Sequence, residues 1–192
     1  MTAAGGDPRF RFGGRLSLDL TWTLRYRAVA PAEMLATPAD LGKWVATALA
    51  PLGQQPGVQD LAAAVALRES VYEAATARLA GREVGRRARQ TINDWAARPA
   101  PYRSLGGRSG ALLRLRPEAE LESALAAVAL DAVELLSADD GRLRRCDGPG
   151  CSLVFYDSSR PGTRRWCSTE RCGNRVNTTT YRRRLAGRAS TT

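Results

Sequence analysis

The sequence contains no histidine, and this absence narrows its chemistry more than any other feature. Histidine supplies the general base of Ser-His-Asp triads and Cys-His pairs, and its ring nitrogens are common metal ligands. A metal site in this chain therefore has to use cysteine thiolates, with carboxylates as the remaining choice. Since the sequence also shows no evident nucleophile–base pair, we expect that the protein is not an enzyme.

Long hydrophobic runs are also missing. The longest alanine-rich stretch, residues 121–136, is interrupted by three acidic side chains, so no membrane span is predicted. The N-terminal residues MTAAGGDPRFRF lack the apolar core of a secretory signal, and we therefore expect a cytoplasmic protein. The chain has 192 residues, of which 44% are hydrophobic and 25% charged, a composition typical of globular proteins.

Lysine is nearly absent, since Lys43 is the single lysine in the chain, and the positive charge comes from arginine. The net charge is +10, and it is concentrated at one end. Residues 141–192 contain twelve arginines and three acidic residues, a net charge of +9, whereas the first 140 residues carry a net charge of +1. Concentrated positive charge attracts polyanions, chiefly nucleic acid. We therefore expect residues 141–192 to bind nucleic acid; DNA, with the protein associated with the nucleoid, is our leading interpretation, and RNA is the alternative.

All four cysteines lie in the last 47 residues, as two C-x4-C pairs separated by 15 residues: Cys146, Cys151, Cys167 and Cys172. This pattern is typical of one zinc ion (Zn2+) held by four thiolates. Disulfides or unrelated thiols are the alternative, which a reducing cytoplasm disfavours. Since four thiolates leave no position for a reactive water, we expect the zinc to be structural and not catalytic.

The residues around the cysteines favour a zinc-bound β-hairpin followed by a helix. Residues 153–156 have strong β propensity, and residues 163–166 can return as the second strand. Ser168 can cap the helix, and Gly187 can end it. Guanidinium groups on this hairpin and helix suit phosphates and guanine edges. We predict nucleic-acid contacts for Arg164, Arg165, Asn174, Arg175, Arg182, Arg183 and Arg184, although Asn174 could instead brace a cysteine sulfur.

The upstream residues predict a mainly α-helical domain with a small antiparallel β-element. Alternating leucines over residues 16–20 predict one strand, and residues 111–116 predict another. The sequence TPAD at residues 37–40 predicts the start of a helix. Further helices are expected over residues 60–80, 85–98 and 117–137. We accordingly divide the chain into a helical domain at residues 1–138 and a zinc finger at residues 139–192.

Four side chains near the expected strand–helix junction could line a pocket for a small-molecule ligand: Asp19, Trp22, Arg25 and Arg68. The alternative is that they are ordinary core aromatics and ion pairs. We expect this domain to bind a small-molecule ligand or a partner.

The C-terminal segment contains a longer motif around its cysteines. Phe155, Asp157 and Ser159 form F-x-D-x-S, followed by R-R-W-C-S at residues 164–168 and C-G-N-R at residues 172–175. This pattern resembles the CGNR-type zinc finger of bacterial proteins. The family usually has a lysine two residues after C-G-N-R, where this chain has Asn177. The segments GGRLSLDLTWT, ATPADLGKWVATAL and ALRESVYEAA are similar to the ABATE-type domain that usually precedes this finger. The resemblance implies a stress-responsive transcription regulator, with a helical sensor or scaffold domain followed by a DNA-binding finger.

Our leading interpretation is a zinc-dependent DNA-binding transcription regulator. One alternative is an RNA-binding stress or translation factor, because the same cations serve both nucleic acids. Another is a protein-interaction module in which the zinc finger is purely structural. A homodimer stays open, since a single finger reaches few base pairs.

Overall fold

A computed structural model of the protein describes residues 7, 9–10, 14–106 and 110–174. The described residues form five α-helices, three two-stranded antiparallel sheets and one π-helical turn. The helices are α1 Leu16–Thr21, α2 Pro38–Ala48, α3 Val58–Leu79, α4 Arg86–Ala96 and α5 Glu120–Ser137. The strands are β1 Leu24–Arg25, β2 Ala32–Glu33, β3 Tyr102–Gly106, β4 Gly110–Arg114, β5 Leu143–Arg145 and β6 Val154–Tyr156. The mainly helical fold with small antiparallel hairpins confirms the predicted fold class.

Helix α2 begins at the predicted capping signal. The Thr37 hydroxyl accepts a hydrogen bond from the Asp40 backbone N–H at 3.2 Å, and the Asp40 carboxylate accepts one from the Thr37 N–H at 3.0 Å. This reciprocal pair satisfies backbone donors that the first helical turn leaves without partners. The face of α2 that follows, at Leu41, Trp44 and Val45, is fully buried.

The main hydrophobic core lies between α2, α3, α4 and α5. Fully buried apolar side chains from three of these helices meet there, including Trp44 from α2, Leu67 from α3 and Leu125 from α5. Ile92 closes the core from α4, and its neighbours on that helix are mostly exposed. None of the helices in the described part of the chain has the length and apolar character needed to cross a membrane.

Residues 16–20 form helix α1 and not the predicted strand. The alternation of apolar and polar residues suggested one buried and one exposed face, but Ser17 and Asp19 are buried along with Leu18 and Leu20. Ser17 is satisfied by a distant partner, because its backbone N–H donates to the Asp131 carboxylate of α5 at 2.8 Å. The strand prediction assumed that the polar residues of the alternating pattern are exposed. Ser17 is instead buried, because its hydrogen bond with Asp131 satisfies its polar groups.

The predicted strand at residues 111–116 is present as β4, but its partner is β3, which the sequence analysis missed. The second hairpin also differs from the prediction. Strand β6 pairs with β5, which precedes the first cysteine, and residues 163–166 form no strand. The paired strands therefore flank the Cys146–Cys151 loop. The predicted helix is described only up to residue 174, as a π-helical turn at Thr169–Gly173.

Replacing Thr37 by alanine should lower the free energy of unfolding by about 1 kcal/mol, because the capping hydroxyl of α2 is lost. Urea denaturation followed by circular dichroism measures this change. Thr76→Ala is the matched control, since Thr76 lies inside α3, where alanine is the better helix former. Equal stability of the Thr37→Ala variant and the wild type would show that this cap contributes nothing.

Candidate metal centre

The four cysteines form one compact cluster. Their sulfur atoms all lie within 4.8 Å of one another, with Cys167 Sγ at 3.7 Å from Cys172 Sγ and 3.9 Å from Cys151 Sγ. Cys146, Cys167 and Cys172 are buried, and Cys151 is half-buried. A tetrahedron of sulfurs around zinc has edges of about 3.8 Å when each Zn–S bond is about 2.3 Å. The cluster therefore fits a four-thiolate zinc site, which confirms the predicted cofactor.

The β5–β6 hairpin positions the first cysteine pair. The Cys146 N–H donates to the Leu153 carbonyl at 3.0 Å, which extends the hairpin by one pair, and the Cys151 N–H donates to the Gly148 carbonyl at 2.8 Å, which closes the turn. A Cβ at position 148 would lie 2.8 Å from Cys172 Sγ, closer than real Cβ atoms approach. Gly148 therefore allows the two cysteine pairs to meet.

The second pair is positioned by the turn that Ser168 caps. The Ser168 hydroxyl accepts from the Arg171 N–H at 3.4 Å, as expected for a capping residue. The Ser168 carbonyl accepts from both the Cys172 and the Gly173 N–H, at 3.1 and 3.2 Å. These bonds form one π-helical turn, which directs the Cys172 sulfur back toward Cys167.

Backbone donors and neighbouring thiols set the charge of the sulfurs. Cys146 Sγ accepts hydrogen bonds from the Cys167 N–H at 3.3 Å and the Gly148 N–H at 3.4 Å. Hydrogen bonds from Cys151 and Cys167 lower the pKa of the Cys146 thiol, while the hydrogen bond with Cys146 raises the pKa of the Cys151 thiol. A single thiolate thus suppresses the ionisation of its neighbours. Full deprotonation requires a compensating cation, which is what Zn2+ supplies.

The loop between the cysteine pairs is organised by Asp157, which is fully buried. Its carboxylate accepts hydrogen bonds from the Ser159 N–H and hydroxyl at 3.0 and 2.6 Å, and from the Arg164 N–H at 2.7 Å. Although burial acts in the opposite direction, these bonds lower the pKa of Asp157 to about 2. Hydrogen bonds to Asp157 therefore hold this loop in place, where the sequence predicted strand pairing of residues 163–166.

Arg164 and Arg165, two of the predicted nucleic-acid contacts, also have contacts within the finger. The Arg164 guanidinium lies 5.2 Å from the Phe155 ring centre and donates to the Cys167 carbonyl at 3.0 Å. The Arg165 guanidinium lies 4.9 Å from the Trp166 ring centre and pairs with Asp147 at 2.9 Å. Asn174 is exposed. The remaining predicted contacts lie outside the described residues: Arg175, Arg182, Arg183 and Arg184.

Two arginines that the sequence analysis did not single out hold the loop from the other side. Arg142 donates to the carbonyls of Asp157 and Ser159, both at 2.8 Å, and Arg144 donates to the Gly162 carbonyl at 2.7 Å. Some of the arginines in residues 141–192 therefore bind the protein's own backbone. Arg144 lies in β5 and Arg142 directly precedes it, so the sequence could have indicated this role only if the strand itself had been predicted.

The four residues predicted to bind a ligand lie in different surroundings. Trp22 is buried against the cysteine cluster, and it also lines a cleft of about 370 Å3 with residues 164 and 167–171. Asp19 is buried in α1, and Arg25 donates to the Trp22 and Arg9 carbonyls. Arg68 is 2% exposed and forms a two-bond ion pair with Glu33, at 2.7 and 2.8 Å. Their assignment to a ligand site stays a prediction.

Comparison with known protein families agrees with this geometry. The model of the ABATE domain, described as a putative stress-induced transcription regulator, matches residues 14–139. The model of the CGNR zinc finger matches residues 142–185. Both matches confirm the resemblance noted in the sequence. None of the curated proteins compared with the chain matches it.

Replacing Gly148 by alanine should raise the dissociation constant for zinc about tenfold or more, because the added methyl group collides with the Cys172 sulfur. Competition with a chromophoric chelator measures this constant. Gly57→Ala is the control, because a Cβ at that position meets only the Asp60 carboxylate, at an ordinary 3.6 Å. Unchanged zinc affinity in Gly148→Ala would contradict the packing described here.

Replacing Asp157 by asparagine should lower the melting temperature of the zinc-loaded protein, because an amide nitrogen cannot accept the bonds that the buried carboxylate now accepts. Differential scanning calorimetry measures the change. In Asp147→Asn, the matched control, the side chain is 50% exposed and its pair with Arg165 is screened by water. Similar effects of the two substitutions would argue against the organising role of Asp157.

Proposed function

The chain belongs to the ABATE family and carries a CGNR zinc finger, and on that premise we propose that it is a transcription regulator that binds duplex DNA through the finger. The observation that carries this proposal is the concentration of positive charge around the metal centre. Residues 141–192 carry a net charge of +9, and four thiolates with one Zn2+ add −2, which leaves about +7. Such a module attracts a polyanion over the distance of a Debye length.

The contacts of Arg164 and Arg165 support phosphate binding. Each guanidinium lies over an aromatic ring, Phe155 or Trp166, which restricts its motion before any ligand arrives. An arginine that is already ordered loses less conformational entropy when it binds a phosphate. Both side chains belong to exposed residues, so a phosphate oxygen can reach them from solvent.

The aromatic residues of the finger favour duplex DNA over single-stranded RNA. Proteins that bind single strands stack bases on exposed aromatic rings. Here Phe155 is 1% exposed, the Trp166 ring is stacked against Arg165, and the Tyr156 hydroxyl donates to Asp140 at 2.7 Å. These rings are engaged in packing within the described residues. Tyr181 lies outside them.

We propose that the zinc supports this surface and takes no part in a reaction. Four thiolates complete a tetrahedral shell, and a catalytic zinc site keeps one position for water or substrate. The cysteines instead tie the hairpin loop to the π-helical turn, and so fix the segment that carries Arg164 and Arg165.

DNA binding should weaken steeply with salt. About five phosphate contacts predict a slope of roughly −4.5 in a plot of log K against log salt concentration. Fluorescence anisotropy with a labelled duplex measures this slope, and unlabelled single-stranded RNA should compete poorly. A slope near zero would contradict electrostatic binding, and stronger competition by the RNA would favour the RNA-binding alternative.

Matched charge removals locate the contact. Replacing Arg182, Arg183 and Arg184 together by alanine should reduce the magnitude of the slope by about 2.7, since each lost contact removes about 0.9. The control replaces the same number of exposed arginines on α4, which are Arg86, Arg87 and Arg89. If the control weakens binding as much as the finger variant does, the finger is not the DNA-binding surface.

A further inference from the structure

We infer that the N-terminal domain holds the zinc-binding loops in place, with Trp22 and Tyr72 as positioning residues for the cysteines. Zinc affinity is then a property of the whole chain and not of the finger alone. The inference concerns metal retention, so it does not depend on the proposed binding of DNA.

Trp22 belongs to the N-terminal domain but is buried within the finger. It is 4% exposed and packs in the same cluster as the buried cysteines and Phe155. Its indole N–H donates to the Val154 carbonyl at 2.7 Å, across 132 positions of sequence. Val154 pairs with Arg145, which directly precedes Cys146. Trp22 therefore fixes the hairpin from which the first cysteine pair extends.

Tyr72 holds the residue that follows the second cysteine. Its hydroxyl donates from α3 to the Ser152 carbonyl at 2.9 Å, and the Arg27 backbone N–H donates to the Ser152 hydroxyl at 3.1 Å. The Arg27 guanidinium lies 4.0 Å from the Tyr72 ring centre and binds Glu69 of α3. Ser152 is 5% exposed, so these bonds are shielded from water. Cys151 is thus anchored to the N-terminal domain by its neighbour.

The finger has little secondary structure of its own to hold the zinc-binding cysteines in position. Strands β5 and β6 have three residues each, and isolated two-stranded hairpins are marginally stable in water. Val154 is fully buried, but against Leu18, Ala75 and Leu135 of the N-terminal domain. Ligands that are already positioned bind a metal more tightly, because less ordering is required at the moment of binding. By linkage, zinc stabilises the N-terminal helices to the same extent.

Two conservative substitutions test the inference in the full chain. Trp22→Phe keeps an aromatic ring but removes the donor to Val154, and Tyr72→Phe removes the donor to Ser152. Each leaves a buried carbonyl without its partner, and each should raise the dissociation constant for zinc about tenfold. Chelator competition measures the constant, and Tyr72→Phe carries the test alone if Trp22→Phe does not fold.

Matched controls separate positioning from general stability. Trp44 is fully buried in the N-terminal core, and its indole N–H has no hydrogen-bond partner among the described residues, so Trp44→Phe removes no such bond. Tyr102→Phe changes a tyrosine on β3, whose ring contacts Arg116. Both controls should keep the zinc dissociation constant within about twofold of the wild type, because distant sites act independently.

A spectroscopic measurement distinguishes altered geometry from lost stability. Cobalt(II) bound in place of zinc reports its tetrahedral thiolate environment through visible absorption. The bands should change in Trp22→Phe and Tyr72→Phe and stay as in the wild type in Trp44→Phe. The inference is wrong if Trp22→Phe and Tyr72→Phe bind zinc like the wild type, or if Trp44→Phe weakens binding equally. If Trp22→Phe and Tyr72→Phe bound zinc like the wild type, the inference would be wrong whatever their DNA binding, and the proposed function would be unaffected by that result.

Discussion

The repulsion between four clustered thiolates, balanced by one divalent cation, is the interaction on which the C-terminal region depends. The sulfurs lie within 4.8 Å of one another, and a single negative charge on Cys146 already raises the pKa of Cys151. Zinc converts this mutual repulsion into four bonds that link two loops. The short strands and the π-helical turn bury too little apolar surface to hold those loops together by themselves.

The motif residues around the cysteines stabilise the loops that carry the zinc ligands. Phe155 fills the space beneath the cluster, Asp157 accepts bonds from both ends of its loop, and Ser159 donates to that carboxylate. Arg164 then covers Phe155 on the outside. The same guanidinium therefore contributes to packing and presents positive charge to solvent, so structure and recognition share residues in this module.

What the sequence predicts well is chemistry that depends on local spacing. The two C-x4-C ligand pairs, the cap at Thr37 and the cap at Ser168 each involve residues a few positions apart, and all are present. The strand predicted at residues 16–20 is a helix. The prediction failed because the polar Ser17 is buried, with its hydrogen-bond partner Asp131 more than a hundred positions away. The place of Trp22 was missed for the same reason, since its partner is a backbone carbonyl in the finger. Local patterns contain no record of such distant partners.

The finger carries most of the positive charge of the protein, and the N-terminal domain is nearly neutral. About seven positive charges in a small module repel one another and oppose compaction. Arg142 and Arg144 reduce this repulsion by binding backbone carbonyls, where the partial charge is negative. Arg145 and Arg160 are exposed. The stability that the remaining repulsion removes has to come from elsewhere. The zinc bonds and the buried contacts of Val154 and Trp22 with the opposite domain supply it. The basic finger therefore depends for its stability on the core that it shares with the N-terminal domain.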